Sequence, residues 1–222
     1  MSERFLLYYI TDRNAFGGDE RQRRLRLLKK IAEATRVGVE YIQLREKDLS
    51  GRDLEGLARE ALRAIAENSK SENGSTLLLI NSRTDVALAI GAAGVHLRGD
   101  DISVADARAA WGLASDGFDR TKYPIISVAC HSAEKVNFAA ADGASLAIFA
   151  PVFEKRGALG IHAAGIEELR KACRAKIPVL ALGGVNLENA KLCVEAGAGG
   201  IAGIRLFQEN DMGEVVKKLR SE

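Results

Sequence analysis

Eight short apolar runs recur along this chain at regular intervals, and they restrict the fold more than any other feature. They read "FLLYYITD" (5–12), "YIQLRE" (41–46), "LLLINS" (77–82), "GVHLRG" (94–99), "PIISVAC" (124–130), "LAIFAPVF" (146–153), "PVLALGGV" (178–185) and "GIAGIRLF" (200–207). Each is continuously apolar rather than alternating, as parallel strands buried on both faces are. Helical periodicity fills most of the gaps, for example Leu25, Leu28, Ile31 and Ala32, then Leu54, Leu57, Ala58, Ala61, Leu62 and Ile65. Strand and helix alternating eight times predict an α/β fold, a single (β/α)8 TIM barrel. Gly38, Gly91, Gly143 and Gly197 each stand just before a strand, at intervals of 53, 52 and 54 residues. A glycine there supplies the left-handed residue that ends a helix, and the interval matches one βαβα quarter of a barrel. The fourfold period argues for one domain over residues 1–222. "ENSKSENGST" (67–76) and "WGLASDGFDRTKY" (111–123) read as its surface loops.

With 222 residues, 47% of them hydrophobic, the chain can fill one such core. Its 32 Lys+Arg against 30 Asp+Glu leave a net charge of +2. That balance gives no long-range attraction to nucleic acid or an anionic membrane, so any anion site must be local. No segment approaches the roughly 18–20 apolar residues of a membrane span. The apolar run in "MSERFLLYYITDR" is short and lacks a cleavage signal, so a soluble, unprocessed, cytoplasmic protein is expected. Cys130, Cys173 and Cys193 form no CxxC pair, which disfavours a disulfide framework and a zinc site. Whether the chain forms a homo-oligomer is left open.

Active sites of such barrels lie at the strand C-termini. "VEYIQLREKD" (39–48) turns from apolar to ionic there and sets Gln43, Arg45 and Lys47 on one side of the strand end; the alternative is a solvated strand end. Asn81, Ser82 and Asp85 follow strand 3, His96, Asp100 and Asp101 follow strand 4, and His131, Ser132, Glu154, Lys155 and Arg156 follow strands 5 and 6. "ALGGVN" places Gly183 and Gly184 before a helix capped by Asn186, and "GGIAGIRL" adds Gly203, Ile204 and Arg205. Glycine N–H groups after strands 7 and 8 are a common phosphate site of barrels, although GG alone also makes tight turns. Carboxylates on the rim suit Mg²⁺ bridging to a diphosphate, with Asp101 helped by Asp100 as the ligand; capping of the next helix near Ser103 is the competing role. His131 is a candidate proton carrier or a hydrogen-bonding rim residue, and His96 reads as a satisfied interior residue.

The pieces "YYITDR", "VEYIQLREKD", "LLINSRTDVALAIGAAGVHL", "ISVACHSAEKV", "FAPVF", "IPVLALGGVNLENA" and "GAGGIAGI" together resemble the thiamin-phosphate synthase/TenI superfamily over nearly the whole chain. The resemblance implies a transferase of thiamin biosynthesis that joins a hydroxymethylpyrimidine diphosphate to a thiazole phosphate with release of pyrophosphate. It implies that Arg45, Lys47 and Asn81 contact the diphosphate, that Asp101 binds Mg²⁺, and that Gly184, Ile204 and Arg205 hold the thiazole phosphate. The chain departs from the synthase pattern at Ser82, where an Asp is usual, at Arg98-Gly99 in place of Gly-Gln, at Glu154-Lys155-Arg156-Gly157 in place of Thr-Pro-Thr-Lys, and at Arg205 in place of Ser. Three readings follow: a synthase in which Lys155, Arg156 and Arg98 replace the missing contacts, a TenI-type thiazole tautomerase using His131 without a metal, and a non-catalytic binder of a phosphorylated ligand. The retained Arg45, Lys47 and Asp101 favour the synthase.

Overall fold

The computed structural model describes residues 5–69, 75–114, 124–154 and 162–221. Eight parallel strands close into a barrel in sequence order: β1 (Leu6–Ile10), β2 (Tyr41–Leu44), β3 (Leu77–Asn81), β4 (Gly94–Leu97), β5 (Ile125–Cys130), β6 (Leu146–Phe149), β7 (Val179–Ala181) and β8 (Gly200–Gly203). Closure comes from β8 pairing with β1, Leu6 opposite Gly200 and Tyr8 opposite Ala202. Outside the strands run α1 (Glu20–Arg36), α2 (Gly51–Asn68), α3 (Thr84–Ile90), α4 (Val104–Ala114), α5 (Ala133–Ala141), α6 (Gly165–Ala172) and α7 (Ala190–Glu195). After β8 come a single turn, α8 (Arg205–Gln208), and α9 (Met212–Leu219). All eight expected strands form, but the run at 200–207 divides, because β8 ends at Gly203 and the chain turns helical at Arg205.

The strands are apolar throughout because their side chains enter two cores. On β1, Leu7 and Tyr9 point outward and pack with the helices, whereas Tyr8 and Ile10 join Leu146, Ile148, Leu180 and Ala202 inside the barrel. Fully burying one leucine-sized side chain is worth about 1.5–3 kcal/mol, so both faces resist polar substitution. Helix α2 buries Leu54, Leu57, Ala58, Ala61 and Ile65, as its spacing predicts. Helix α1 is rotated from expectation: Leu27, Ile31 and Ala34 are buried and Leu25 is 54% exposed. Adjacent Leu27 and Leu28 offer two apolar phases, and the one continued by Ile31 and Ala34 makes the better stripe.

The four periodic glycines adopt left-handed φ values of 80, 66, 86 and 95° at Gly38, Gly91, Gly143 and Gly197, and so act as helix terminators. Residues 111–114 are helical rather than loop, since α4 runs to Ala114. The three cysteines are free, and burial pushes the thiols of Cys130 and Cys173 up to about 11 and that of Cys193 up to about 12. Among the described residues no helix is long and apolar enough to cross a membrane.

Candidate active site

All eight strands bring their C-terminal ends to one rim, where a basin of about 1270 Å³ opens. Its lining includes Arg45, Lys47, Arg98, His131, Gly184 and Arg205, which reach it from five different strand ends.

The ionic run after β2 is divided by the pleat of the strand. Glu46 turns away from the mouth and is 5% exposed. Its carboxylate accepts from the Thr11 hydroxyl at 2.6 Å, the Arg13 N–H at 3.0 Å and the Arg13 guanidinium at 3.2 Å. Burial still holds this carboxyl above its usual range. Arg13 also forks onto both oxygens of Asp48, each at 2.7 Å, which pulls Asp48 down to about 2, and its Nε reaches Glu20 at 2.9 Å. Arg45 and Lys47, interleaved with these carboxylates, make no ion pair among the described residues. The Lys47 ammonium is pushed down chiefly by the charge of Arg45, then by burial and by Arg98, so the three cations share one field.

Between β2 and β4 a chain of hydrogen bonds runs across the rim. Gln43 Nε2 donates to Asn81 Oδ1 at 2.8 Å, Asn81 Nδ2 donates to Ser82 Oγ at 3.0 Å, and Arg98 Nε donates to the same oxygen at 2.8 Å. Ser82 sits at φ 62°, the only non-glycine residue with positive φ among the described residues. Arg98 continues to Asp101 at 3.2 Å and Asp100 at 3.4 Å, and its backbone N–H donates to Asp101 Oδ2 at 2.7 Å. Burial works against the charge on Asp101, but the bonds from the Arg98 N–H, the Ser82 hydroxyl and the Arg98 guanidinium prevail and keep its pKa below the usual range. Capping of α4 falls to Ser103, whose Oγ accepts the Asp106 N–H at 3.0 Å; Asp101 closes the turn before it.

This arrangement bears on the magnesium expected at Asp101 and Asp100. Both carboxylates already hold the Arg98 guanidinium, and at position 82, where the synthase pattern has an Asp, stands a serine. Among the described residues no group of three His, Cys, Asp or Glu side chains is placed to hold a metal ion. With both carboxylates engaged by Arg98, this donor set does not fit a divalent cation held by the protein alone, since even Mg²⁺, which is ordinarily held by one or two carboxylates together with substrate phosphates, would have to displace the guanidinium.

His131 lies on the mouth with Nδ1 2.6 Å from the Ala150 carbonyl. A carbonyl only accepts, so Nδ1 carries the hydrogen and Nε2 is left for a ligand. His96 is an interior residue, as expected: its Nδ1 is 2.8 Å from Ser127 Oγ, which is 2.9 Å from the Tyr8 hydroxyl. Burial, reinforced by Arg45 and Arg98 against Asp101, lowers His96 to about 4 and keeps it neutral.

On the β7 side, Gly183 and Gly184 take φ of 93 and 68°. A Cβ at Gly183 would stand 2.7 Å from Pro151, and one at Gly184 2.7 Å from Phe153, so no side chain fits at either. Their N–H groups donate to no protein acceptor among the described residues. Asn189 Nδ2 braces the loop from the Gly184 carbonyl at 3.0 Å. Asn186 caps the turn that precedes α7, accepting the N–H groups of Glu188 and Asn189. Gly203, Ile204 and Arg205 line the same part of the basin, and exposed Arg205 makes no ion pair with Glu154 among the described residues. Lys155 and Arg156 lie outside the described residues.

Sequence reading missed Arg13, Ser127 and Asn189. Arg13 had a signal, an arginine just past strand 1 facing the carboxylates of the next strand end. Ser127 and Asn189 had none, because their partners are brought close only by barrel closure and loop folding.

The pattern of the thiamine monophosphate synthase family matches residues 7–207. Among curated relatives, the putative thiamine-phosphate synthase 2 of Aquifex aeolicus is 36% identical over 204 residues, covering 91% of this chain and 97% of its own. The thiamine-phosphate synthase of Clostridium acetobutylicum is 36% identical over 199 residues, covering 89% of this chain and 84% of its own. Of the solved structures, thiamine phosphate pyrophosphorylase from Pyrococcus furiosus matches with a TM-score of 0.77 at 27% identity, over 99% of this chain and 95% of that one. A 3-hexulose-6-phosphate synthase matches with a TM-score of 0.66 at 18% identity, a likeness of fold alone. The family pattern runs from β1 to the turn after β8 and takes in every strand end that builds the basin, so the chain belongs to the thiamine monophosphate synthase family.

Proposed function

We propose that this barrel joins a hydroxymethylpyrimidine diphosphate to a thiazole phosphate and releases pyrophosphate. One observation carries the reading: a single basin contains two separate surfaces suited to anions. One is the pair of cations after β2 that make no ion pair among the described residues; the other is the glycine loop after β7, whose N–H groups donate to no acceptor among them, with Arg205 beside it. Two phosphorylated ligands need two such surfaces, and 1270 Å³ exceeds the about 300–1,000 Å³ of a cleft for one small ligand. The names of the relatives support the same reaction.

In that reaction the bond between the pyrimidine methylene and the diphosphate oxygen breaks, and its electron pair leaves with pyrophosphate. The lone pair of the thiazole nitrogen then forms the new C–N bond, so no general base is required. Negative charge grows on the leaving group, and groups that bind it more strongly as it grows lower the barrier. Arg45 and Lys47 serve that purpose, with Gln43 and Asn81 fixing the floor between them and Lys155 and Arg156 expected to add contacts. Gly183, Gly184, Gly203, Ile204 and Arg205 hold the thiazole phosphate away from the departing charge. A second reading, thiazole tautomerisation, draws on the free Nε2 of His131. Supplying both substrates, with and without Mg²⁺, and measuring thiamin phosphate tests the proposal. Failure to form it under both conditions, combined with thiazole tautomerisation that disappears in His131→Ala, would establish the second reading instead.

A further inference from the structure

Ser82 and Arg98 depart separately from the synthase pattern, yet in the fold they bond to each other. Strand β3 places Asn81 opposite His96 of β4, which brings residue 82 against residue 98. The left-handed backbone at Ser82 sets its Oγ to accept from both Asn81 and Arg98. On its other side Arg98 holds Asp101 and Asp100. The guanidinium thus lies between the hydroxyl and the carboxylates, in contact with the very groups a metal ion would use. Its Nε and Nη2 are engaged, but Nη1 has no partner among the described residues, and the side chain is 40% exposed at the wall of the basin.

We propose that Arg98 is the built-in cation of the diphosphate site, fixed by Ser82 and Asp101, so that this chain binds a diphosphate without a resident divalent ion. The inference rests on the synthase reading given above. Two N–H groups on one planar Nη1, with Nε and Nη2 anchored, suit a phosphate oxygen pair and hold little residual freedom. Arg45 and Lys47 complete a three-sided cationic surface, as the depression of Lys47 by both arginines indicates. A dication would have to displace the guanidinium from two carboxylates and would be repelled by three cations.

The test titrates inorganic pyrophosphate calorimetrically into the whole protein, in EDTA and again in Mg²⁺, and follows Mn²⁺ binding to the protein alone by electron paramagnetic resonance. Wild type is expected to bind pyrophosphate in EDTA with an affinity within about threefold of that in Mg²⁺, since the fixed cation supplies the charge. Arg98→Ala should weaken binding in EDTA by about 10- to 100-fold, the loss of a charge-assisted contact, and Arg98→Lys should recover only part of it. Mn²⁺ should bind Ser82→Asp/Arg98→Gly, which restores a carboxylate and removes the competitor, and should not bind wild type. Pyrophosphate binding that needs Mg²⁺, stoichiometric Mn²⁺ on wild type, or an unchanged Arg98→Ala would each overturn the role of Arg98 while leaving the synthase reading in place. Pyrophosphate that binds wild type under neither condition overturns both.

Discussion

The corner between β1 and β2 and the corner between β3 and β4 are each built on one arginine that gathers carboxylates, and they differ in what the arginine has left over. Arg13 turns all three of its guanidinium nitrogens to Glu20, Glu46 and Asp48, and its side chain is 4% exposed. Arg98 holds Asp100 and Asp101 with Nη2, keeps Nη1 open and is 40% exposed. The first corner locks two strand ends together; the second presents charge to whatever enters the basin. A cation's role in this barrel is therefore read from its unused nitrogens, and the ionic run "REKD" divides the same way: two carboxylates engaged by Arg13 and two cations that make no ion pair among the described residues.

The largest expected effect lies in the locked corner. Arg13→Ala strands the buried Glu46 carboxylate without its partner and should lower stability by about 3–5 kcal/mol in urea denaturation, while kcat/KM of the protein that stays folded is retained. A loss below about 1 kcal/mol, the scale of a surface pair, would erase the contrast between the corners. Next comes the open side. Arg45→Ala should cost about 2–4 kcal/mol in kcat/KM for thiamin phosphate formation, as deleted charge-stabilising donors do, and leave the denaturation midpoint within about 0.5 kcal/mol of wild type. Equal catalytic and stability losses would place Arg45 with Arg13.

Across the mouth, Arg205→Ser should weaken thiazole phosphate binding by about 1–3 kcal/mol in calorimetry, because the backbone N–H groups of the glycine loop remain. Identical affinities would assign the whole task to the backbone. The smallest effect is on acid stability. Asp48 is lowered to about 2 in the fold, chiefly by its hydrogen bonds from Arg13. A carboxyl depressed in this way stabilises the fold above its unfolded pKa, and that contribution is lost as pH falls from about 4 to about 2. Asp48 itself is 53% exposed, and solvent screening keeps the change under about 1 kcal/mol; Asp48→Asn should flatten the stability profile in that window.

The sequence revealed the barrel because its signals are local. A strand buried on both faces is written as an apolar run, and a helix that stops on a left-handed residue is written as glycine. The phase of α1 was less legible, since Leu25, Leu27 and Leu28 permit two stripes and only packing chooses. At the site, residue types were visible but partnerships were not. Glu46 and Asp48 are 33 and 35 positions from Arg13, and their pairing depends on the register that sets Ile10 opposite Gln43. In the same way Ser82 and Arg98 read as two separate losses until the β3–β4 register joined them into one contact.

The inner cluster of the barrel decides from which side the basin is reached. Ile10, Ile148 and Ala202 belong both to that cluster and to the lining of the basin, and Tyr8, Leu146 and Leu180 fill the space beneath. With that packing beneath the basin, the described residues leave no passage along the barrel axis, so ligands enter and leave on the rim side.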